Sequence, residues 1–278
     1  MLLDYIRLLH FDSSLTDYSL RNNSLDEDIP LALESDDYLY IGQQYPFTNI
    51  YFHMDSVNAV TGNMNVEYWD GTDWRAGVDV LDGTLSGNAP LGKSGNYKFS
   101  LNEDYDWNCV ANTSDSVGPT ELSGQNIYNC YWLRLQPSAT LTSGTDASEI
   151  GYAFTTTDQL KAFDVEIDSF LTAFDASKTD WVDQIKTASR IVVSDLKRKG
   201  IIEHAGQISQ FSDIWIPTTL KTLSIIYSNL GPSYDERLKK NEHEYEKALS
   251  PRRMTIDENK DGHLDRREIS GRIVTRVR

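Results

Sequence analysis

Residues 217–227 read Pro217-Thr218-Thr219-Leu220-Lys221-Thr222-Leu223-Ser224-Ile225-Ile226-Tyr227. The apolar residues Leu220, Leu223 and Tyr227 recur three and four positions apart, which is the spacing of one face of an α-helix. Proline is tolerated in the first turn of a helix because its missing N–H has no intrahelical partner there. We therefore predict a helix that begins at Pro217 and ends before Gly231.

Further helices are predicted before and after this stretch. The earlier one is predicted to be capped by Ser177 and to stop at Gly200, since glycine is a common C-terminal stop. The later one is predicted to open with Ser233 and Glu236 as a capping box and to end before Pro251. The inward-facing residues of these two helices are Trp181, Ile185, Ala188, Ile191, Val192, Leu196, Leu238, Tyr245 and Leu249. Each apolar stripe needs the others for burial, so residues 157–250 are predicted to form a small helical bundle.

Residues 36–156 have a different periodicity. Short runs of β-branched and aromatic residues, such as residues 64–69 and 131–135, alternate between apolar and polar positions. Residues 70–73 read Asp-Gly-Thr-Asp and predict a hairpin, because Asp-Gly supplies the positive φ angles of a tight turn. Many short strands with frequent turns indicate an antiparallel β-sandwich of jelly-roll type.

These patterns define the predicted architecture. The fold class is α+β and multidomain: a β-sandwich over residues 36–156, the helical bundle over residues 157–250 and an extended tail over residues 251–278. Residues 1–35 are predicted to be an extended arm or a first strand. The two cysteines are too few for a disulfide framework and are expected to be reduced core thiols.

Charge is distributed unevenly along the chain. Residues 1–150 hold 6 Lys and Arg against 22 Asp and Glu, whereas residues 151–278 hold 20 of each kind. DNA and anionic lipid both carry dense negative charge and would repel the acidic half. We therefore expect no membrane partner and no sequence-specific nucleic acid partner.

The helical residues of the chain carry a family resemblance. The stretch 217–227, the earlier helix from Trp181 to Ile191, the turn residues Gly200-Ile201-Ile202 and the closing residues 244–249 together resemble the head–tail connector (adaptor) proteins of tailed bacteriophages. The resemblance spans residues 180–249 and consists of helix faces and bends, with no catalytic signature.

The resemblance implies a structural virion protein and not an enzyme. Connectors assemble as a ring of about twelve copies beneath the portal, and they link the capsid to the tail. Residues 157–250 would form the ring, and the β-sandwich would project from the neck as decoration. The implied partners are the portal protein, further neck or tail-completion proteins and other copies of the chain. The implied location is the virion neck, after synthesis in the host cytoplasm.

Residues 257–268 fit the twelve-residue calcium loop of EF-hand proteins. Calcium prefers six to eight oxygen ligands, and Gly262 permits the sharp turn at the sixth position. The oxygen ligands would come from Asp257, Asn259, Asp261, His263, Asp265 and Glu268, with His263 offering its backbone carbonyl. Pro251 precedes the loop and no second loop is present to pair with it, so we expect a structural calcium clip. The alternative is a polar turn that binds no metal.

The tail beyond the loop is basic. Arg272, Arg276 and Arg278 are candidates for contacts with the portal, since basic terminal arms often dock on acidic surfaces. The alternative is a solvated terminus.

A second functional class stays open at the level of sequence. Exposed aromatic side chains on a β-sandwich can stack on sugar rings, and Trp74 and Trp107 lie near predicted turns. The chain could accordingly be a calcium-containing carbohydrate-binding module with a helical attachment domain. Enzyme chemistry has no sequence motif behind it, because the chain has no nucleophile elbow, phosphate-binding glycine loop or zinc-type spacing of His and Cys.

Overall fold

The structure, a computed structural model, describes residues 6–24, 28–110, 119–122, 129–208, 211–249 and 254–257. The chain divides into two compact units, whose described parts are residues 6–151 and 152–257. The first unit consists of two antiparallel β-sheets and the second is helical, so the predicted α+β class is confirmed.

The described part of the first unit contains eleven strands. They are β1 (Arg7–Phe11), β2 (Leu15–Asp17), β3 (Ile29–Pro30), β4 (Tyr38–Gln43), β5 (Asn49–Ser56), β6 (Met64–Trp69), β7 (Trp74–Ala76), β8 (Val78–Asp82), β9 (Gly95–Ser100), β10 (Tyr131–Pro137) and β11 (Asp146–Gly151). A short helix α1 (Ser19–Ser24) and a 3₁₀ turn (Thr120–Leu122) complete it. The strand orders are β2-β1-β4-β10-β6-β7 and β3-β11-β5-β9-β8. The segment of residues 1–35 thus supplies three strands to the two sheets.

The inner faces of the two sheets share one core. Val66 on β6 and Phe99 on β9 are both buried, and both lie within 3 Å of where a Cβ on Gly77 would be. The buried Tyr97 of β9 donates its hydroxyl to the carbonyl of Met64 on β6 at 2.5 Å. Contacts of this kind between strands of different sheets define a sandwich.

The hairpin predicted at residues 70–73 is confirmed. Trp69 pairs with Trp74 across β6 and β7, and the Asp70 N–H donates to the Asp73 carbonyl at 3.0 Å. The Asp70 carboxylate closes the turn, since it accepts the N–H groups of Thr72 and Asp73 at 2.7 Å each and the Nε–H of Arg75 at 2.5 Å. Burial alone would raise the pKa of Asp70, but these hydrogen bonds outweigh it and hold that pKa well below its usual range.

Replacing Asp70 with asparagine is expected to lower the free energy of unfolding by about 2 kcal/mol at pH 7. A carboxylate with a lowered folded-state pKa contributes stability that is present above its unfolded pKa of about 4 and is lost as pH falls toward the folded value. The stability gap between wild type and Asp70→Asn should therefore narrow below about pH 4. Urea unfolding of both proteins between pH 7 and pH 3 measures this difference in the free energy of unfolding. Asp73→Asn, at a carboxylate 70% exposed, is the control. A gap that is unchanged at pH 3 would contradict this account.

The second unit contains five helices in its described residues. They are α2 (Thr157–Phe163), α3 (Leu171–Phe174), α4 (Val182–Arg198), α5 (Phe211–Leu230) and α6 (Asp235–Ala248), with 3₁₀ turns at Ile167–Phe170, Ala205–Gln207 and Pro232–Tyr234. Helix α5 packs against both α4 and α6. The side chains predicted as bundle core at Trp181, Leu220, Leu223 and Tyr245 are all buried.

Helix α4 stops where the sequence predicts. Gly200 adopts a φ of +66°, its N–H donates to Lys197, and the Ile201 N–H donates to Leu196 at 3.0 Å. This pair of bonds is a Schellman motif, which satisfies the last carbonyls of the helix. The predicted cap at Ser177 is wrong, because Ser177 bonds to Asp175 and the helix begins later, at Val182.

Helix α5 starts earlier than predicted. It begins at Phe211, so Pro217 lies inside the helix and not in its first turn. A proline in a helix interior removes one hydrogen bond. The helix continues through it because both sides are anchored by packing, with Ile214 and Thr218 fully buried. The Thr218 hydroxyl also donates to the Ile214 carbonyl at 2.9 Å.

The capping box predicted for the third helix is wrong as well. Residues 232–234 form a 3₁₀ turn after Gly231, and α6 begins at Asp235 without a side-chain cap. The 3₁₀ turn leads directly into α6, since the Asp235 N–H donates to the Pro232 carbonyl. Near its other end, α6 is held against α4 by the hydroxyl of the buried Tyr245, which donates to Asp195 at 2.7 Å. Leu249 is buried as predicted, whereas Leu238 is half-buried.

Candidate functional site

A groove of about 560 Å³ runs between α5 and α6 in the helical unit. Its floor is apolar and comes from Ile216, Leu220 and Leu223, which are four and three positions apart on one face of α5. One face of α6 forms the opposite wall, and the end of α2 closes the groove. The remaining lining residues are Phe163, Asp164, Tyr227, Arg237, Lys240, Asn241, Glu244, Lys247 and Ala248.

Exposed apolar side chains in the described part of the helical unit lie at this groove or close to it in sequence. Phe163 is 44% exposed and Ile216 is 40% exposed, and both line the groove. Val165, two residues beyond Phe163, is 87% exposed. The half-buried Trp215 packs edge-on against Phe163 with ring centroids 5.7 Å apart. Exposed apolar residues that occur together, with polar residues around them, are typical of an interaction surface.

A hydrogen-bonded cluster fixes one end of the groove. The Tyr227 hydroxyl donates to the Asp164 carboxylate, which also accepts Nη1 of Arg237 at 3.0 Å. The Arg237 guanidinium lies 5.9 Å from the ring centroids of both Tyr227 and Tyr234. Burial and then the hydrogen bond to Asp164 raise the pKa of Tyr227, so its phenol stays protonated and remains a donor. This cluster ties the end of α2 to α5 and α6 and gives the groove a fixed shape.

The α6 rim of the groove offers polar groups to a ligand. The Lys240 ammonium is exposed and forms no direct ion pair within the described part of the chain, although it attracts the Glu244 carboxylate one turn away, and the Asn241 amide forms no hydrogen bond there. Lys247 is paired with Glu244 at 2.9 Å. An apolar floor beside an exposed ammonium suits an apolar segment that carries a carboxylate. Sequence periodicity did not reveal this groove, because Leu220 and Leu223 have the spacing of any core residues.

An acidic cluster lies on the sandwich. Carboxylate oxygens of Asp28, Asp55 and Asp146 come within 4.8 Å of one another, and Asp146 also accepts the N–H of Ser56 at 2.9 Å. Three carboxylates could contribute to a cation site, although calcium prefers six to eight oxygens. The three residues are far apart in the sequence, which explains why no sequence motif indicates them.

A serine and a histidine meet nearby on the same sheet. Ser148 Oγ lies 2.6 Å from Nδ1 of His53, at the bulge where β11 pairs with β5. Such a pair can transfer a proton, and 95 residues separate its members in the sequence. The structure shows a hydrogen bond that connects two neighbouring strands.

Only the first of the six predicted calcium ligands lies within the described residues. Asp257 is buried, its N–H donates to the Gln207 carbonyl at 3.0 Å, and its own carbonyl accepts Nε2 of Gln207 at 2.9 Å. The start of the predicted loop is thus held by its backbone against the 3₁₀ turn at Ala205–Gln207. Outside the described residues lie the other ligands, Asn259, Asp261, His263, Asp265 and Glu268, and the predicted portal contacts Arg272, Arg276 and Arg278.

The prediction that Trp107 is exposed for sugar stacking is wrong. Its side chain is 3% exposed and lies between the sheets, with ring centroids 5.8 Å from Tyr68 and 6.0 Å from Phe99. Its Nε1–H donates to the carbonyl of Trp132 at 3.1 Å. The residue neighbours a turn in sequence, but its large apolar surface is worth more in the core than in water.

Trp74 is half-buried and belongs to a cluster on the outer face of the six-stranded sheet. The Arg134 guanidinium lies 4.6 Å from its ring centroid and 4.5 Å from that of Tyr38. Arg134 also pairs with Glu67 at 2.6 Å and Glu121 at 3.1 Å. The guanidinium thus covers one face of the half-buried Trp74 ring, which reduces the surface that could stack on a sugar.

The cysteines are free, as predicted. Cys130 is buried and Cys109 is half-buried. Burial raises the pKa of the Cys130 thiol to about 11, so it is an unreactive core residue.

Comparison with known proteins identifies no relative. No protein-family model, no curated protein and no solved structure matches the chain. Among the described residues, no helix combines the length and the apolar character that crossing a membrane requires.

Proposed function

We propose that this chain is a structural virion protein of a tailed bacteriophage, a head–tail connector that forms a ring beneath the portal. The observation that carries the proposal is the helical unit. Its three longer helices, α4, α5 and α6, span most of the stretch whose sequence resembles the connector family, and its exposed Phe163 and Ile216 line the groove between α5 and α6. A surface of this kind is suited to assembly with another protein.

The remaining parts of the chain have assembly roles in this proposal. The basic residues Arg272, Arg276 and Arg278 contact the portal, and the acidic sandwich decorates the neck. The carbohydrate-binding alternative is less well supported, because Trp107 is buried and Arg134 covers a face of Trp74.

Electron cryo-microscopy of the chain mixed with the portal protein of the same phage tests the proposal. The expected result is a ring of density below the portal with the helical unit at the contact. A companion binding measurement uses a chain without residues 269–278, which should bind the portal more weakly. Absence of any association with the portal would contradict the connector function. Undiminished binding by the truncated chain would contradict the role of the tail.

We also propose that residues 257–268 bind calcium as a structural clip. A lone loop is expected to bind in the range of roughly 10⁻⁵ to 10⁻³ M, because no second loop supports it. Replacing Glu268 with glutamine removes the bidentate ligand and should weaken binding by about tenfold or more. Isothermal titration with calcium measures this, with Glu242→Gln on the exposed side of α6 as the control. A wild-type chain without a calcium-dependent heat would show that the loop is only a polar turn.

A further inference from the structure

We infer that copies of this chain associate head to tail, with strand β8 of one copy seated in the α5–α6 groove of the next. The inference rests on the proposed function only for the closure of such contacts into a ring beneath the portal. The contact itself follows from two exposed surfaces of the chain whose apolar and charged groups match.

The first surface is β8, an edge strand of the five-stranded sheet. Its Val78, Val80 and Leu81 are 38%, 40% and 65% exposed. The pairing with β9 shifts register between Val78 and Leu81, and Asp79 takes a φ of +50° within this bulge. Alternate residues of a regular strand face opposite sides, but the bulge lets the consecutive residues Val80 and Leu81 both face solvent.

An exposed apolar edge strand is uncommon in a chain that acts alone. Edge strands present unpaired backbone groups, and natural proteins protect them with charge, proline or a covering element. Here β8 is short and bulged and carries Asp79 and Asp82, so charge and the bulge supply part of this protection. Three apolar side chains nevertheless remain exposed on this edge, which indicates a surface suited to contact with another chain.

The second surface is the groove between α5 and α6. Its floor of Ile216, Leu220 and Leu223 can receive apolar side chains such as Val80 and Leu81. Its volume of about 560 Å³ is larger than these two side chains require. The partly exposed Ile216 and Phe163 at its mouth would lose contact with water on docking.

Charge favours β8 as the occupant of the groove. The rim carries the exposed Lys240, which attracts Glu244 of its own helix without a direct ion pair, whereas β8 carries Asp79, which forms no ion pair or hydrogen bond within the described residues. The halves of the chain also differ in charge, since residues 1–150 hold 22 acidic against 6 basic residues. Docking β8 on the rim thus pairs an acidic segment with a cationic site, which suppresses incorrect partners and accelerates encounter.

The two surfaces are different, so the contact is heterologous. Each copy offers one strand and one groove, and both remain available at the ends of any open chain of copies. Contacts of this type form a ring when the rotation between copies closes and a filament when it does not. In a connector ring this contact would give the sandwich a part in assembly in addition to its place as decoration of the neck, and the contact can be tested without the portal.

The experiment uses the full chain and two variants at exposed positions. Leu81→Arg places a cation opposite Lys240, and Ile216→Glu places a carboxylate opposite Asp79. Leu20→Arg, at a leucine 77% exposed on the same unit as Leu81, is the matched control. Sedimentation velocity over a wide range of protein concentration gives the assembly state. Circular dichroism verifies that each variant is folded.

The expected result is self-association of the wild type and of Leu20→Arg, with affinity about tenfold or more lower in each of the other two variants. Mixing Leu81→Arg with Ile216→Glu provides the decisive readout. In this mixture the Ile216→Glu chain supplies an intact strand β8 and the Leu81→Arg chain supplies an intact groove. The two should form a 1:1 dimer that cannot add further copies. A strictly monomeric wild type, assembly of the two variants that equals wild type, or a mixture without the dimer would overturn the inference.

This experiment separates the inference from the proposed function. A portal-bound ring that persists in both variants would refute the β8–groove contact and leave the connector function intact. Self-association that both variants weaken, in a wild-type chain that never binds a portal, would support the contact and refute the connector function.

Discussion

Replacing Trp107 with alanine is expected to lower the free energy of unfolding by about 3–5 kcal/mol, because it empties the junction between the two sheets. The indole contacts Tyr68 of the six-stranded sheet and Phe99 of the five-stranded sheet, so its loss affects both faces of the core. The variant also leaves the buried carbonyl of Trp132 without the Nε1–H donor that it accepts at 3.1 Å. Since domains are stable by only about 5–15 kcal/mol, the sandwich should become marginal.

Urea unfolding followed by circular dichroism measures this effect, and calorimetry distinguishes the sandwich from the helical unit. Trp107→Phe is the matched control, since it retains an aromatic ring and loses the hydrogen bond. We expect it to lower stability by about 1–2 kcal/mol. An alanine variant that unfolds at the wild-type urea concentration would show that Trp107 does not join the sheets.

The elements of the fold could be predicted from periodicity. The alternation at residues 64–69 and 131–135 corresponds to β6 and β10, because a half-buried strand repeats every two residues. The Asp-Gly pair located the hairpin, and Gly200 located the end of α4, because both positions need positive φ angles. These local requirements do not depend on distant contacts.

Helix starts and side-chain environments could not be predicted in the same way. The start of α5 lies six residues before Pro217 because packing outweighs the missing hydrogen bond of a proline. Trp107 is buried although its neighbours are typical of turns. The groove could not be predicted because it forms only where α2, α5 and α6 pack together. The exposed apolar edge of β8 could not be predicted because it depends on a bulge that has no local sequence motif.

Replacing Gly95 with alanine is expected to lower the free energy of unfolding by about 3 kcal/mol, because two backbones meet there with no room for a side chain. A Cβ on Gly95 would lie against the carbonyl group of Gly83, 2.6 Å from its carbon. Gly83 has the reciprocal restriction, since a Cβ there would lie 2.6 Å from the carbonyl oxygen of Asn96. The obstructing atoms belong to the backbone and cannot rotate away, so the chain after β8 must separate from β9. Urea unfolding measures the loss.

Gly95→Ala should also weaken self-association, because Gly83 directly follows β8 and the displaced strand would no longer present Val80 and Leu81 in the geometry that the groove accepts. The control is Gly151→Ala, where the nearest obstruction is the end of a side chain and not a backbone, namely the Glu149 carboxylate at 3.1 Å. That variant should retain most of its stability and associate as the wild type does. Measuring both unfolding and self-association distinguishes an effect of the displaced strand β8 on the contact from a general effect of lower stability. A Gly95→Ala chain that is destabilised yet associates with wild-type affinity while folded would mean that the edge strand contributes nothing to the contact between copies.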